Sequence, residues 1–150
     1  MARFHIAEAR EIAARPEVIW DILADYRDGH PHILPGAFGP LEVEQGGKGA
    51  GTVIRFETHV LGTTRRFHQA VTTPEPGRVL MESDVDGPNH TTFTLTPLDG
   101  GARTRVEIAS DMQTSPGIFG AVEAAMTRWL IPPIYRQELE KLATAAERSR

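Results

Sequence analysis

The chain has 150 residues, a length that fits one domain able to bury about two-thirds of the surface its unfolded form exposes. Hydrophobic residues at 40% and charged residues at 24% match an ordinary globular protein and exclude wholesale disorder. A net charge of −4, from 16 basic against 20 acidic side chains, provides no broad cationic surface for phosphates, so nucleic acid is not an expected partner; zero cysteines remove disulfides, thiolate metal sites and cysteine nucleophiles together and fit a reducing compartment.

The N-terminal stretch MARFHIAEAREIAA is charged throughout and lacks the apolar run of a signal peptide. No segment approaches about 18 uninterrupted apolar residues, so a cytoplasmic protein without membrane insertion is expected. Residues 3–14 place Phe4, Ile6 and Ile12 at one parity, which predicts a long first strand with that parity inward. Glu8 and Arg10 share the parity. RPEVIWDILADY then predicts a short helix with Pro16 at its first position, and RDGHPHILPG allows only a brief second helix before Pro35 and Gly36.

Residues 38–111 alternate short extended runs with the turn signals EQGGKGAG, LGTT, PEPG, DGPN and LDGGA, the spacing of an antiparallel meander. In LGTT, Gly62 at the first central position of a type II′ turn pairs Leu61 with Thr64. That register sets Val60 opposite Arg65, Thr58 opposite Phe67 and Phe56 opposite Gln69, with His59 opposite Arg66 and Glu57 opposite His68 on the outer face. Ile54, Phe56, Val60, Phe67 and Val71 then point inward, accompanied by Thr58, Arg65 and Gln69.

From Pro116 to about Arg148 the pattern is helical, with Ser115 as N-cap. At about 100° per residue, Phe119, Val122, Met126 and Leu130 share one side, whereas Tyr135, Leu139 and Leu142 fall nearly opposite. A straight helix cannot bury both stripes in one core. Pro132 and Pro133 remove two helical N–H groups between them and predict two helical pieces meeting at a bend near residue 132. The second stripe is available either to the sheet or to another subunit, the latter making a homodimer.

The segments EIAARPEVIWDILADY, GGKGAGTVIRF, PEPGRVL, LTPLDGGARTRVE and YRQELEKL resemble, in order, the polyketide cyclase/dehydrase and lipid-transport family of the START-like superfamily. The resemblance covers nearly the whole chain as one domain and implies an α+β helix-grip fold. In that fold a curved antiparallel sheet of about seven strands grips the C-terminal helix around an apolar cavity. The implied lining comprises Ile54, Phe56, Thr58, Phe67, Gln69, Phe93, Leu95, Val106, Phe119, Val122, Met126 and Leu130, with Tyr26 and His30 near the mouth.

Three functions fit this frame. The first is binding of a small hydrophobic ligand: a lipid, an isoprenoid or a polyketide-like molecule. The second is a polyketide cyclase or dehydratase working without a metal or redox cofactor, with Arg65, Glu8 and Tyr135 as the candidate catalytic residues. An inward Arg65 has the donors to hold an enolate or carboxylate bidentately in a dry site, while its stem also lets it reach solvent. Glu8 and Arg10 have three uses open: bridging each other, partnering Arg65, or solvation at the sheet edge. The segment RRFHQAV lacks the tryptophans of such cyclases, and His30 replaces an often aromatic residue. The third function is a protein-interaction module with a small cavity. No metal site is expected, because HPH at 30–32 has a turn proline between its histidines and His59 and His68 face outward.

Overall fold

The computed structural model describes residues 3–149. Strand β1 (Arg3–Ile12) is followed by helix α1 (Pro16–Ala24) and a single 3-10 turn (His30–Ile33). Six strands then run as a meander: β2 (Glu42–Gln45), β3 (Val53–Val60), β4 (Thr63–Glu75), β5 (Val79–Asp84), β6 (His90–Leu98) and β7 (Arg103–Gln113). Helix α2 (Ile118–Arg148) closes the chain. All pairings are antiparallel, in the order β1-β7-β6-β5-β4-β3-β2.

Alternation decides which face is filled. Even residues of β1, β3, β5 and β7 and odd residues of β4 and β6 point to the helix side, so Ile6, Ile12, Ile54, Val71, Leu80, Phe93, Leu95, Val106 and Ile108 are buried. Each such apolar side chain contributes about 1.5–3 kcal/mol on burial. Ile19 and Leu23 of α1 and Leu139, Leu142, Ala143 and Ala146 of α2 complete the same core. Pro16 does stand at the start of α1, where its missing N–H leaves no helical bond unmade.

The β3–β4 hairpin differs from the expected register by two residues. Val60 pairs with Thr63, and Phe56 therefore faces Phe67 while Ile54 faces Gln69. The loop is Leu61-Gly62, both with positive φ (49° and 76°), which is the backbone of a type I′ turn in place of the expected type II′. A shift of two preserves parity, so the inward set stands although its partners change. On the outer face, Glu57 pairs with Arg66 rather than His68, and His68 turns to Glu44.

Helix α2 begins at Ile118 with Gly117 at the N-cap position, not at Pro116 after a Ser115 cap. Gly117 takes φ 85°, a left-handed value that only glycine adopts without strain, and this sets the start of the helix. The helix is one continuous element through Pro132 and Pro133, not two pieces meeting near residue 132. Burial changes at that pair instead. Tyr135, Glu138, Leu139, Leu142, Ala143 and Ala146 beyond it are buried, while Ile118, Phe119, Val122, Met126 and Trp129 before it are exposed. The stripe considered for a dimer is thus buried in its own domain. No helix among the described residues is long and apolar enough to cross a membrane.

Candidate functional site

Between the sheet and α2 lies a cavity of about 530 Å³. Its sheet wall carries Ile54, Phe56, Thr58 and Val60 from β3, Arg65, Phe67 and Gln69 from β4, and Phe93 from β6. Its helix wall carries Phe119, Val122, Met126, Leu130, Ile131, Ile134 and Tyr135. Three aromatic rings form a stack along one side, Phe38 on Phe56 at 5.3 Å between centroids and Phe56 on Phe67 at 4.9 Å. Direct pairing of Phe56 with Phe67 makes that stack, which the expected register would have separated.

The helix residues before the prolines line the cavity and yet remain open to solvent, Phe119 at 84% exposure. They border a mouth rather than seal a core. Leu61 at the hairpin tip and the exposed Arg65 stand on the same open end.

Four expected site residues lie elsewhere. Leu95 and Val106 are inward but sit in the solid core beneath α1 and the end of α2, not on the cavity. Tyr26 is fully buried behind the cavity wall instead of at the mouth. Glu8 is half-buried on the edge strand β1, where it pairs with Arg136 of α2, and it neither lines the cavity nor meets Arg65. Arg10 is exposed. Trp129 of α2 is exposed as well.

His30 is the other correction, for it lies on the floor and not at the rim. Its ring is buried, stacks on Tyr26 at 4.6 Å and meets Phe93 edge-on at 5.6 Å. Nδ1 lies 2.8 Å from the Leu23 carbonyl oxygen, which can only accept, so Nδ1 carries a hydrogen and Nε2 faces the cavity. There Nε2 stands 3.7 Å from Glu82 Oε2 and 3.8 Å from Glu138 Oε2. The Tyr26 hydroxyl donates to Glu82 Oε2 at 2.6 Å.

This buried polar group comes from three distant segments: the 3-10 turn, β5 and α2. Burial first, and the neighbouring Glu82 second, push the Glu138 carboxyl well above its ordinary value. Burial, reinforced by Glu82, likewise holds the Tyr26 phenol far above its usual range. Tyr135 is raised too, mainly by burial, against the opposing effect of its hydrogen bond to Ser110. Ser110 in turn shares a hydrogen with Thr91 at 2.6 Å. Sequence reasoning passed over Glu82, Asp84 and Glu138. Glu82 and Asp84 follow Leu80 at the inward parity of β5, and Glu138 lies between Tyr135 and Leu142 on the second helical stripe, so the signal was present. Among the described residues no group of three or more His, Asp or Glu side chains is arranged to hold a metal ion.

A seven-stranded antiparallel sheet wrapped on a long C-terminal helix, with a short helical pair after the first strand and a cavity between, defines a START-like protein of helix-grip fold. The chain belongs to the polyketide cyclase/dehydrase and lipid transport family, whose model matches residues 3–147. Among solved structures it is similar to the KanY protein, at TM-score 0.85 and 22% identity, covering 98% of this chain and 99% of that one. A START superfamily protein from Mycobacterium smegmatis superposes at TM-score 0.73 with 18% identity, covering 97% and 99% of the two chains. The Zhui aromatase/cyclase from Streptomyces sp. R1128 does so at 0.76 with 16% identity, covering 98% and 95%. No match was found among the curated proteins.

Proposed function

We propose that the protein binds a small hydrophobic ligand, of lipid, isoprenoid or polyketide-like chemistry, in the cavity between sheet and helix. The carrying observation is the cavity itself. Its volume of about 530 Å³ is lined chiefly by aliphatic and aromatic side chains, with His30, Glu82 and Glu138 close together on its floor. Small-molecule sites have this size and composition, about 300–1,000 Å³ of largely apolar wall with a few orienting polar groups. A protein-interaction module with a collapsed interior fits it poorly. Native mass spectrometry of the purified protein, followed by denaturing extraction, tests the reading. A stoichiometric apolar molecule is the expected result. An empty protein that also fails to take up any apolar probe overturns it.

Cyclase or dehydratase activity is the second reading, favoured by the presence of both Arg65 and Tyr135 on the cavity wall. The guanidinium would stabilise an enolate or carbonyl oxygen as charge develops, and the Tyr135 hydroxyl, already set by Ser110, would orient the chain. Glu8 has no place in that scheme, being paired with Arg136 outside the cavity. Arg65→Ala separates the two readings: an enzyme loses turnover of a poly-β-ketone with its fold intact, whereas a carrier retains its bound ligand.

A further inference from the structure

The inner end of the cavity is rich in acceptor oxygens, one of which has no partner. Gln69 is 6% exposed, and its Nε2 donates to Asp84 Oδ1 at 3.3 Å. Its Oε1 has no hydrogen-bond partner. Reversing the amide does not relieve this, because it would set Oε1 against the Asp84 carboxylate. Buried acceptors without partners are uncommon; Gln69 lines the cavity, and a small turn of its side chain brings Oε1 to a donor carried by a ligand.

The groups around it agree. Glu82 and Asp84 are alternate residues of β5 and share the inward face, with Gln69 opposite Asp84 and Val71 opposite Glu82. Glu138 reaches the same floor from α2. The donors nearby are used: Tyr26 hydroxyl on Glu82, His30 Nδ1 on Leu23, and Gln69 Nε2 on Asp84. Among the described lining residues Arg65 alone is a lysine or arginine, and it stands exposed at the opposite, open end.

We propose that the inner end of the ligand is a hydrogen-bond donor, an ammonium or a hydroxyl group, seated on Gln69 Oε1 and the Glu82 and Glu138 carboxyls, with the rest of the molecule extending towards Arg65. A carboxylate or phosphate end is disfavoured at the floor by Glu82 and Asp84. The inference rests on the ligand-binding reading above and names the chemistry of its inner contact. Ammonium and hydroxyl are told apart by protons. Glu138, faced by Glu82 of β5, His30 of the 3-10 turn with Tyr26 behind it, and Tyr135 on its own helix, holds its proton to higher pH than an ordinary carboxyl. A bound ammonium favours the carboxylate and releases that proton, while a hydroxyl does not.

Isothermal titration of the intact protein with naphthylmethylamine, naphthylmethanol, naphthoate and methylnaphthalene, each in phosphate and in Tris buffer, decides the matter. Either the amine or the alcohol is expected to bind about tenfold more tightly than naphthoate and methylnaphthalene. Gln69→Leu is expected to abolish that preference, with retained cooperative urea unfolding serving as the control for its fold. A buffer-dependent heat for the amine that disappears in Glu138→Gln identifies an ammonium site; a preferred alcohol with no proton transfer identifies a hydroxyl site. Equal affinity for all four probes, or preference for naphthoate, overturns the donor assignment and leaves the cavity reading intact. Failure of every probe to bind overturns both.

Discussion

Glu138 lies on the floor of an apolar cavity with a second carboxyl, Glu82, close by, and this arrangement gives its ionisation a direct cost in stability. Its carboxyl keeps a proton in the folded state that the unfolded chain has already lost above the ordinary value of 4.5. The native state therefore binds more protons than the unfolded one in the interval above that value, and stability from this group falls as pH rises through it. Glu138→Gln removes the effect. Urea unfolding between about pH 5 and pH 8 is expected to show the variant gaining on the wild type as pH increases; a constant difference across that range would contradict the placement. Tyr135→Phe deletes the hydroxyl that meets Ser110 and is expected to cost about 0.5–1.5 kcal/mol in the same measurement, because Ser110 retains Thr91. The inward parity of Glu82 and Asp84 could be read from VLMESD, yet parity alone does not tell that Glu82 meets Glu138 of α2. The helix-grip resemblance places His30 near the mouth, and only its bond to Leu23 and its stack on Tyr26 turn it inward.

Helix α2 does two jobs that divide at Pro132 and Pro133. Beyond them its buried side chains belong to the core, and Leu139→Ala is expected to cost about 2–5 kcal/mol by leaving a cavity among fixed neighbours. Before them the side chains line an open mouth. Met126→Ala is expected to change stability by less than about 0.5 kcal/mol, since its side chain is half exposed, while weakening the binding of an apolar probe measurably by titration. Hydrogen exchange should follow the same division, with amides of 121–130 exchanging faster than those of 137–146 and slowing on ligand binding. Uniform protection along the helix would show that the first half is held by the fold alone. The two stripes and the role of the prolines as their boundary were legible in the sequence. Whether the first stripe would meet protein or open space was not, because periodicity marks an apolar face without naming what covers it.

Across the whole molecule, the last strand pairs with the first and α2 folds back on β1, so the second helical stripe is covered by its own chain. Leu139→Asp is accordingly expected to abolish cooperative unfolding, measured by circular dichroism against urea. A folded variant whose mass by light scattering is half that of the wild type would instead place Leu139 in a subunit interface. What the sequence by itself determined was local and periodic: the order of elements, the inward parity of β1, β3, β4, β6 and β7, the two faces of α2, and the family to which these landmarks belong. Those features follow from side-chain spacing of two or 3.6 residues and from turn chemistry, which act over a few neighbours. The tertiary structure alone decided the hairpin's shift by two residues, the open cavity mouth, the removal of Glu8 to the edge, and the meeting of His30, Glu82 and Glu138. Those depend on how a turn, a strand and a helix far apart in the chain close on one another, and the energy that selects that closure lies in long-range packing and burial that no local pattern records.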